Sequence, residues 1–351
     1  MSMPPPYAAR IRADLASIKE QLNALLDLST IRYVNPNTRG SSLYFVTAAD
    51  WGWGPGDEAT TAAQMDLLRR YSDWFDRFVL LLPHPTPDIE RKITKADEFV
   101  RRWVARDVAF DHSIPQTIEQ AKTVAAGQLT VFDELISLAS RQGDAMLRVV
   151  PDTNALLRNP AVEQYALALG TDDYLVHVVT TVLAELDELK DRGRTPDVRE
   201  KATKVIRRLK GLRDRGSLAE GVTVAGKVRL RLEHREVDAS SVLAWLDPSV
   251  PDDKIIAAAL RLQSDHPAGV VVLITADINL QNKADAIGLP YLEPPPAADH
   301  NTVGGDRPAT ALQLTGAPGI PEYTAWCSPR PRAAGNCSIG TAAVNGDRAL
   351  R

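Results

Sequence analysis

The sequence predicts an α/β protein built on a parallel sheet, with a mostly helical segment ahead of it. Three observations carry this. From Leu147 onward, short apolar runs alternate with amphipathic helical patterns, as in β-α units whose strands pair in parallel. The run VVVLIT (270–275) is apolar throughout and rich in β-branched residues, as a strand buried on both faces should be. Ahead of Leu147, apolar residues recur at helical spacing and prolines interrupt them.

In chain order, residues 1–30 hold a helical stretch with Ile11, Leu15, Ile18, Leu22, Leu25 and Leu26 on one face. Residues 31–56, rich in Asn, Pro, Gly and Trp, read as loop with one short strand at LYFV (43–46). Residues 57–146 read as helices broken at Pro83, Pro85, Pro87 and Pro115. One helical face carries Leu67, Leu68, Tyr71, Trp74, Phe75 and Phe78. Another carries Ile118, Ala121, Val124, Ala125, Phe132, Leu135 and Ile136. Such stripes build helix-on-helix core. Beyond Leu147, strands are expected at LRVV (147–150), YLVHVV (174–179) and VVVLIT. Helices are expected near 160–169, 180–191, 197–213, 253–264 and 277–287, and a hairpin over 222–237 turns near Gly226. From Pro294 the chain loses periodicity and is expected to be disordered. The expected domains are therefore a helical one over 1–146, an α/β one over 147–293 and a tail over 294–351.

Composition narrows the function classes. An apolar content of 44% suits a globular chain of 351 residues. A net charge of −4 argues against a globally basic nucleic-acid coat protein, and is silent on local patches. No window approaches the ~18 apolar residues of a membrane span, and MSMPPPYAARIRADL lacks the apolar run of a secretory signal. Cys327 and Cys337 make neither a disulfide framework nor a zinc site. The six histidines are scattered, and His177 reads as a sheet residue. The expectation is a cytoplasmic, soluble protein with no membrane partner.

The chemistry gathers on acids. A parallel sheet collects functional groups at the carboxyl ends of its strands, where strand order reverses. Asp152 follows the first strand in VVPDTNALL, and Asp277 follows the third in VLITADINL. Asp253 opens a helix in VPDDKIIAAAL. Glu185 lies in TVLAELDELK, nearer the apolar stripe than Asp187 or Glu188. Each alone has a plain explanation as an N-cap, a turn former or a solvated helix residue. Together at one sheet edge they would repel unless something neutralises them. Hard divalent cations do so through oxygen ligands. Mg²⁺ or Mn²⁺ held this way suits phosphodiester hydrolysis, by lowering the pKa of a bound water and stabilising charge on the phosphate.

The ordered motifs DTNALL, VLAELDELK, DDKIIAAALRLQ and LITADINLQNKADAIGLP resemble those of PIN domains. The likeness is closest to the PIN domains of bacterial PhoH-type proteins and of eukaryotic RNA-decay endonucleases, and covers roughly residues 148 to 293. It implies a three-layer α/β/α fold with an acidic pocket for one or two Mg²⁺ or Mn²⁺ ions. Carried over by motif, the catalytic and metal-holding acids are Asp152, Glu185, Asp253 and Asp277. Asp253 is preferred to Asp252 because the family's acid stands three residues before an Ile-Ala-Ala run, here Ile256-Ala257-Ala258. Thr153, Asn154 and Thr275, with Asp252, would hold the carboxylates and metal waters. The chain has no G-x-x-x-x-G-K-[ST] motif, so the resemblance implies a nuclease without a coupled ATPase. The first half resembles no known family.

Residues 190–215 are strongly basic. Arg199, Lys201, Lys204, Arg207, Arg208 and Lys210 are the cations best placed to grip a phosphate backbone. The bland alternative is a solvated helix with favourable end charges. The leading expectation is a metal-dependent endoribonuclease acting on single-stranded RNA, leaving a 5′-phosphate and a 3′-hydroxyl. The alternatives are a catalytically silent RNA-binding or scaffold protein, and a structure-specific DNA nuclease. The helical half is the segment open to a protein partner.

Overall fold

The structure is a computed structural model that describes residues 4–34, 50–107, 113–141, 143–239 and 242–297. These fall in one compact unit, Met1–Ala298. The expected strand at LYFV, both cysteines and the expected disordered tail beyond residue 297 lie outside the described residues.

The first half is built from four long helices: α1 (Tyr7–Asp27), α2 (Glu58–Val79), α3 (Pro87–Ala105) and α4 (Ile118–Ala139). Their starts are written into the sequence. Asp57 accepts the Thr60 N–H at 2.8 Å, while Thr86 and Thr117 cap α3 and α4, with Pro87 in the first turn of α3. α1 and α3 each pack against both α2 and α4, so the helices close a ring. The predicted stripes face inward: Ile11, Leu15, Leu22, Tyr71, Trp74, Phe78 and Phe132 are all buried. Trp74 is the hub. Its ring stacks on Phe78 at 5.1 Å and meets the Phe132 edge at 5.2 Å, and its indole N–H donates to the Ile11 carbonyl at 3.0 Å. A buried indole needs such a partner.

Residues 31–56, read from sequence as loop outside LYFV, instead hold an antiparallel ladder of β1 (Ile31–Val34) and β2 (Asp50–Trp53). The aromatic residues explain it. Tyr33 lies opposite Trp51, with ring centroids 5.8 Å apart and edge to face, a cross-strand pair that supports even a short ladder.

The second half runs β3 (Leu147–Pro151), α5 (Thr153–Arg158), α6 (Ala166–Leu169), β4 (Leu175–Val178), α7 (Thr180–Arg192) and α8 (Pro196–Leu212). It continues with β5 (Val222–Ala225), β6 (Val228–Leu232), α9 (Pro251–Asp265), β7 (Val270–Ile274), α10 (Ile278–Ala286) and β8 (Tyr291–Leu292). The six strands form one sheet in the order β5-β6-β4-β3-β7-β8. All neighbours are parallel except the β5–β6 hairpin, whose turn passes through Gly226 at φ +53°, a conformation that favours glycine. β3 and β7 are buried along their whole length; β7 is apolar throughout, while in β3 the buried Arg148 pairs with Asp144. From β3 the chain winds outward through β4 to β6, then crosses back to β7 on the other side of β3. The reversal lies between β3 and β7.

Buried apolar side chains form two clusters, one in each half, and Leu80 packs against both. α1 joins the halves. Its N-terminus has no side-chain cap. The Ala8 N–H donates to the Pro267 carbonyl at 3.2 Å and the Tyr7 N–H to the Gly269 carbonyl at 3.4 Å, both in the loop before β7. Helix ends buried against protein need such acceptors. Gly269 is packed so closely that a Cβ would stand 2.8 Å from the Met146 carbonyl and 3.1 Å from that of Asp144. Gly269→Ala is therefore expected to destabilise the protein by ~2 kcal/mol, measured by urea denaturation. A neutral effect would contradict this reading of the junction.

Candidate functional site

The carboxyl end of the sheet carries a cavity of about 350 Å³ lined by Asp152, Thr153, Asn154, Glu185, Glu188, Leu189, Asp252, Ile255 and Asp277. Five of these nine residues are acids and none is a cation. Four elements deliver the acids. Asp152 leaves β3 and caps α5, accepting the Ala155 N–H at 2.5 Å. Asp277 follows β7 and caps α10, accepting the Asn279 N–H at 2.7 Å. Glu185 and Glu188 stand one turn apart on α7. Asp252 lies in the first turn of α9. The capping explanation for Asp152 and Asp277 thus holds alongside their place in the cavity.

Hydroxyls fix the acids. The fully buried Thr275 donates to Asp152 Oδ2 at 2.5 Å and accepts the Asp277 N–H at 2.9 Å. One hydroxyl at the end of β7 therefore sets the spacing of the two acids at the strand reversal. The Thr153 hydroxyl donates to Glu185 Oε2. Asn154 is exposed at the cavity mouth.

Burial is the largest influence on the three shifted carboxyls. It pushes Asp152 above the usual carboxylate range; Thr275 and the Ala155 N–H oppose it, while Asp277 and Asp252 reinforce it. Burial likewise raises Glu185, against the Thr153 hydroxyl and with the charges of Asp252 and Glu188. Asp252 is raised by burial, lowered by Lys283, and raised again by Asp277 and Asp253. Like charges held together in a partly dry site favour the protonated form.

The structure differs from the sequence reading at the α9 acid. Asp253 does not line the cavity. It is 6% exposed; its Oδ1 pairs with Lys283 Nζ at 2.6 Å and its Oδ2 accepts the Asp247 N–H at 2.9 Å. Adjacent helical residues point about 100° apart, and this ion pair to α10 turns Asp253 away and Asp252 toward the other acids. Glu188 lies farther from the apolar stripe than Glu185, yet its place one turn along the same helix lets it share the cavity.

The basic helix α8 packs on α7 and α5, the helices beside the cavity. Three of its six singled-out cations serve the fold. Arg208 grips Glu163 at 2.6 and 2.7 Å, Lys201 pairs with Asp197 at 2.8 Å, and Arg199 donates to the Gly193 carbonyl at 2.5 Å. Lys204, Arg207 and Lys210 are exposed. His177 is buried in β4 and bonded to Glu233 at 2.7 Å, away from the acids that line the cavity.

Among the described residues no three His, Cys, Asp or Glu side chains stand close enough together, as placed, to enclose a metal ion. The donor set nevertheless fits a hard divalent cation in kind and charge. It offers carboxylate oxygens from four elements, no competing cation in the lining, and mutual repulsion that a cation would relieve. The carboxylates must converge further to ligate one.

The raised groups give a stability prediction. A carboxyl raised on folding contributes stability below its unfolded pKa and loses that contribution as the pH rises through its folded pKa. The ionised cluster therefore costs stability at neutral pH. Asp252→Asn is expected to raise the melting temperature at pH 7 by roughly 1–3 °C, a gain that fades toward about pH 4 as the native acid protonates. Asp253→Asn, which breaks the Lys283 pair, is expected to lower it. The reverse ranking in a thermal melt would contradict the placement of the two acids.

No curated protein matches the chain. A family model described as PIN domain matches residues 149–293, and no family match covers the first half. Among the described residues, no helix is long and apolar enough to cross a membrane. The α/β half with its acidic cavity, over residues 149–293, is therefore the segment that carries the PIN domain match.

Proposed function

We propose that this protein is a metal-dependent endoribonuclease that hydrolyses phosphodiester bonds of single-stranded RNA at the cavity of Asp152, Glu185, Asp252 and Asp277. The observation that supports it most is the lining itself: five acids and no cation, at the strand reversal of a fold whose family generally consists of nucleases. The preference for RNA rests on the likeness of the ordered motifs to RNA-decay PIN domains.

Mg²⁺ or Mn²⁺, held by Asp152, Glu185, Asp252 and Asp277, would supply charge compensation for the phosphate and a water of lowered pKa. The chain's own contribution is to prepare that site. Thr275 and Thr153 orient Asp152 and Glu185 through hydroxyl donors, so that little side-chain freedom is lost when the substrate arrives. Glu188 adds negative charge at the edge and raises the proton affinity of Glu185. Leu189 and Ile255 form the apolar wall. The free cations Lys204, Arg207 and Lys210 on α8 hold the strand by its phosphates. In this reading Asp253 is a structural acid.

End-labelled single-stranded RNA and DNA, incubated with Mg²⁺, Mn²⁺ or chelator, test this directly. Metal-dependent cutting of RNA is expected, falling by about a hundredfold or more in an Asp152→Asn, Asp277→Asn double variant. Cutting that survives in the variant, or no cutting with either metal, would overturn the proposal, and preferential cutting of DNA would replace its substrate. Replacing Lys204, Arg207 and Lys210 by Gln is expected to lessen the slope of log affinity against log salt by about 2, at roughly 0.7 per lost contact.

A further inference from the structure

The helical half has a cavity of its own, of about 340 Å³, where the β1–β2 ladder meets the start of α2 and the end of α3. Its polar lining is Arg32, Thr61, Gln64 and Arg106, against the ring of Trp53 and Pro55. Among the described residues, the charge pattern is the reverse of that in the acidic cavity: two guanidinium groups and no carboxylate. The nearest capping acid, Asp57, is engaged with Thr60, whose N–H and hydroxyl approach at 2.8 and 2.7 Å.

Arg106 is held in an unusual way. It is the C-cap of α3 and has φ +54°, the only non-glycine among the described residues in the left-handed region. That position usually goes to glycine or asparagine. The guanidinium lies 4.3 Å over the Trp53 ring and donates through Nη2 to the Ser29 hydroxyl. Its Nε is buried and has no partner. Burial pushes its pKa down, to about 10. A half-buried guanidinium is costly unless an anion beside it compensates the charge. Arg32 lies opposite Gly52 in the ladder, so no side chain crosses from that partner to cover it.

We infer that this cavity binds a phosphate monoester group, with Arg106 and Arg32 as its two arms. Guanidinium forks match phosphate oxygens in geometry and charge. The volume is that of a nucleotide-sized molecule rather than of a single ion. Trp53 offers no stacking platform, since Arg106 covers its face and Trp103 meets it edge to face at 5.5 Å. Recognition therefore runs through the phosphate. The phosphate has two possible sources, a free small molecule or the terminal phosphate of a strand, and both present the same chemistry.

Titration calorimetry on the full chain in chelator, which keeps metal out of the acidic cavity, tests the inference. The probes are inorganic phosphate, adenosine monophosphate, and one DNA oligonucleotide in 5′-phosphorylated and 5′-hydroxyl forms. Adenosine monophosphate or the phosphorylated strand is expected to bind more tightly than the 5′-hydroxyl strand. Arg106→Gln and Arg32→Gln are each expected to weaken that binding by between about ten- and a hundredfold. Arg32 is exposed, so its variant keeps the test valid should Arg106→Gln fail to fold. Binding of the free nucleotide and phosphate identifies a small-molecule source; binding only of the phosphorylated strand identifies a strand end. No binding of any phosphate probe, or binding that Arg32→Gln leaves unchanged, would overturn the inference.

Discussion

One hydroxyl organises the acidic edge of this protein. Thr275, buried at the end of β7, donates to Asp152 and accepts the amide of Asp277, so a single atom couples the ends of the two strands between which the sheet reverses. It can do so because β3 and β7 pair in parallel and in register, with Pro151 opposite Ile274. A slip of one residue would turn every side chain of β7 to the other face and separate the acids. The apolar core of the α/β half, and through β7 the dock for α1, thus serves to hold like charges where solution chemistry would disperse them.

Holding them has an energetic consequence that runs against stability. Asp152, Glu185 and Asp252 all have carboxyls raised by burial and by neighbouring acids. No cation stands in the cavity lining, and Lys283 gives its closer contact to Asp253, at 2.6 Å against 3.9 Å to Asp252. An external cation, as the proposed function requires, would relieve that repulsion. The second cavity shows the same logic with the sign inverted, in Arg106 and its unpaired Nε.

The sequence showed much of this, and what it concealed has physical causes. The stripes of Ile11 to Leu26 and of Leu67 to Phe78 were readable because helical periodicity is local. VVVLIT was readable because five apolar residues in a row suit a strand buried on both faces. The candidates Asp152 and Asp277 were legible from their positions after strands, Glu185 from its helical phase, and all three from the order of motifs. The choice between Asp252 and Asp253 could not follow from such signals, because it depends on the rotation of α9, which Lys283 on α10 helps to fix. β8 is too short to show a period, and it exists because Leu273 and Ile274 have Tyr291 and Leu292 beside them. The ladder of β1 and β2, and the stacking of Arg106 on Trp53, join residues far apart in the chain, and no local pattern announces them.

The central claim is that the edge acids form one electrostatic unit built to be completed by a divalent cation. Carbon-13 detection of the side-chain carboxyls of Asp152, Glu185 and Asp252 through a pH titration, without and with Mg²⁺, measures it most directly. The account predicts midpoints above the ordinary value of about 4, and a fall in all three when Mg²⁺ is added. Ordinary midpoints that Mg²⁺ leaves in place would contradict it.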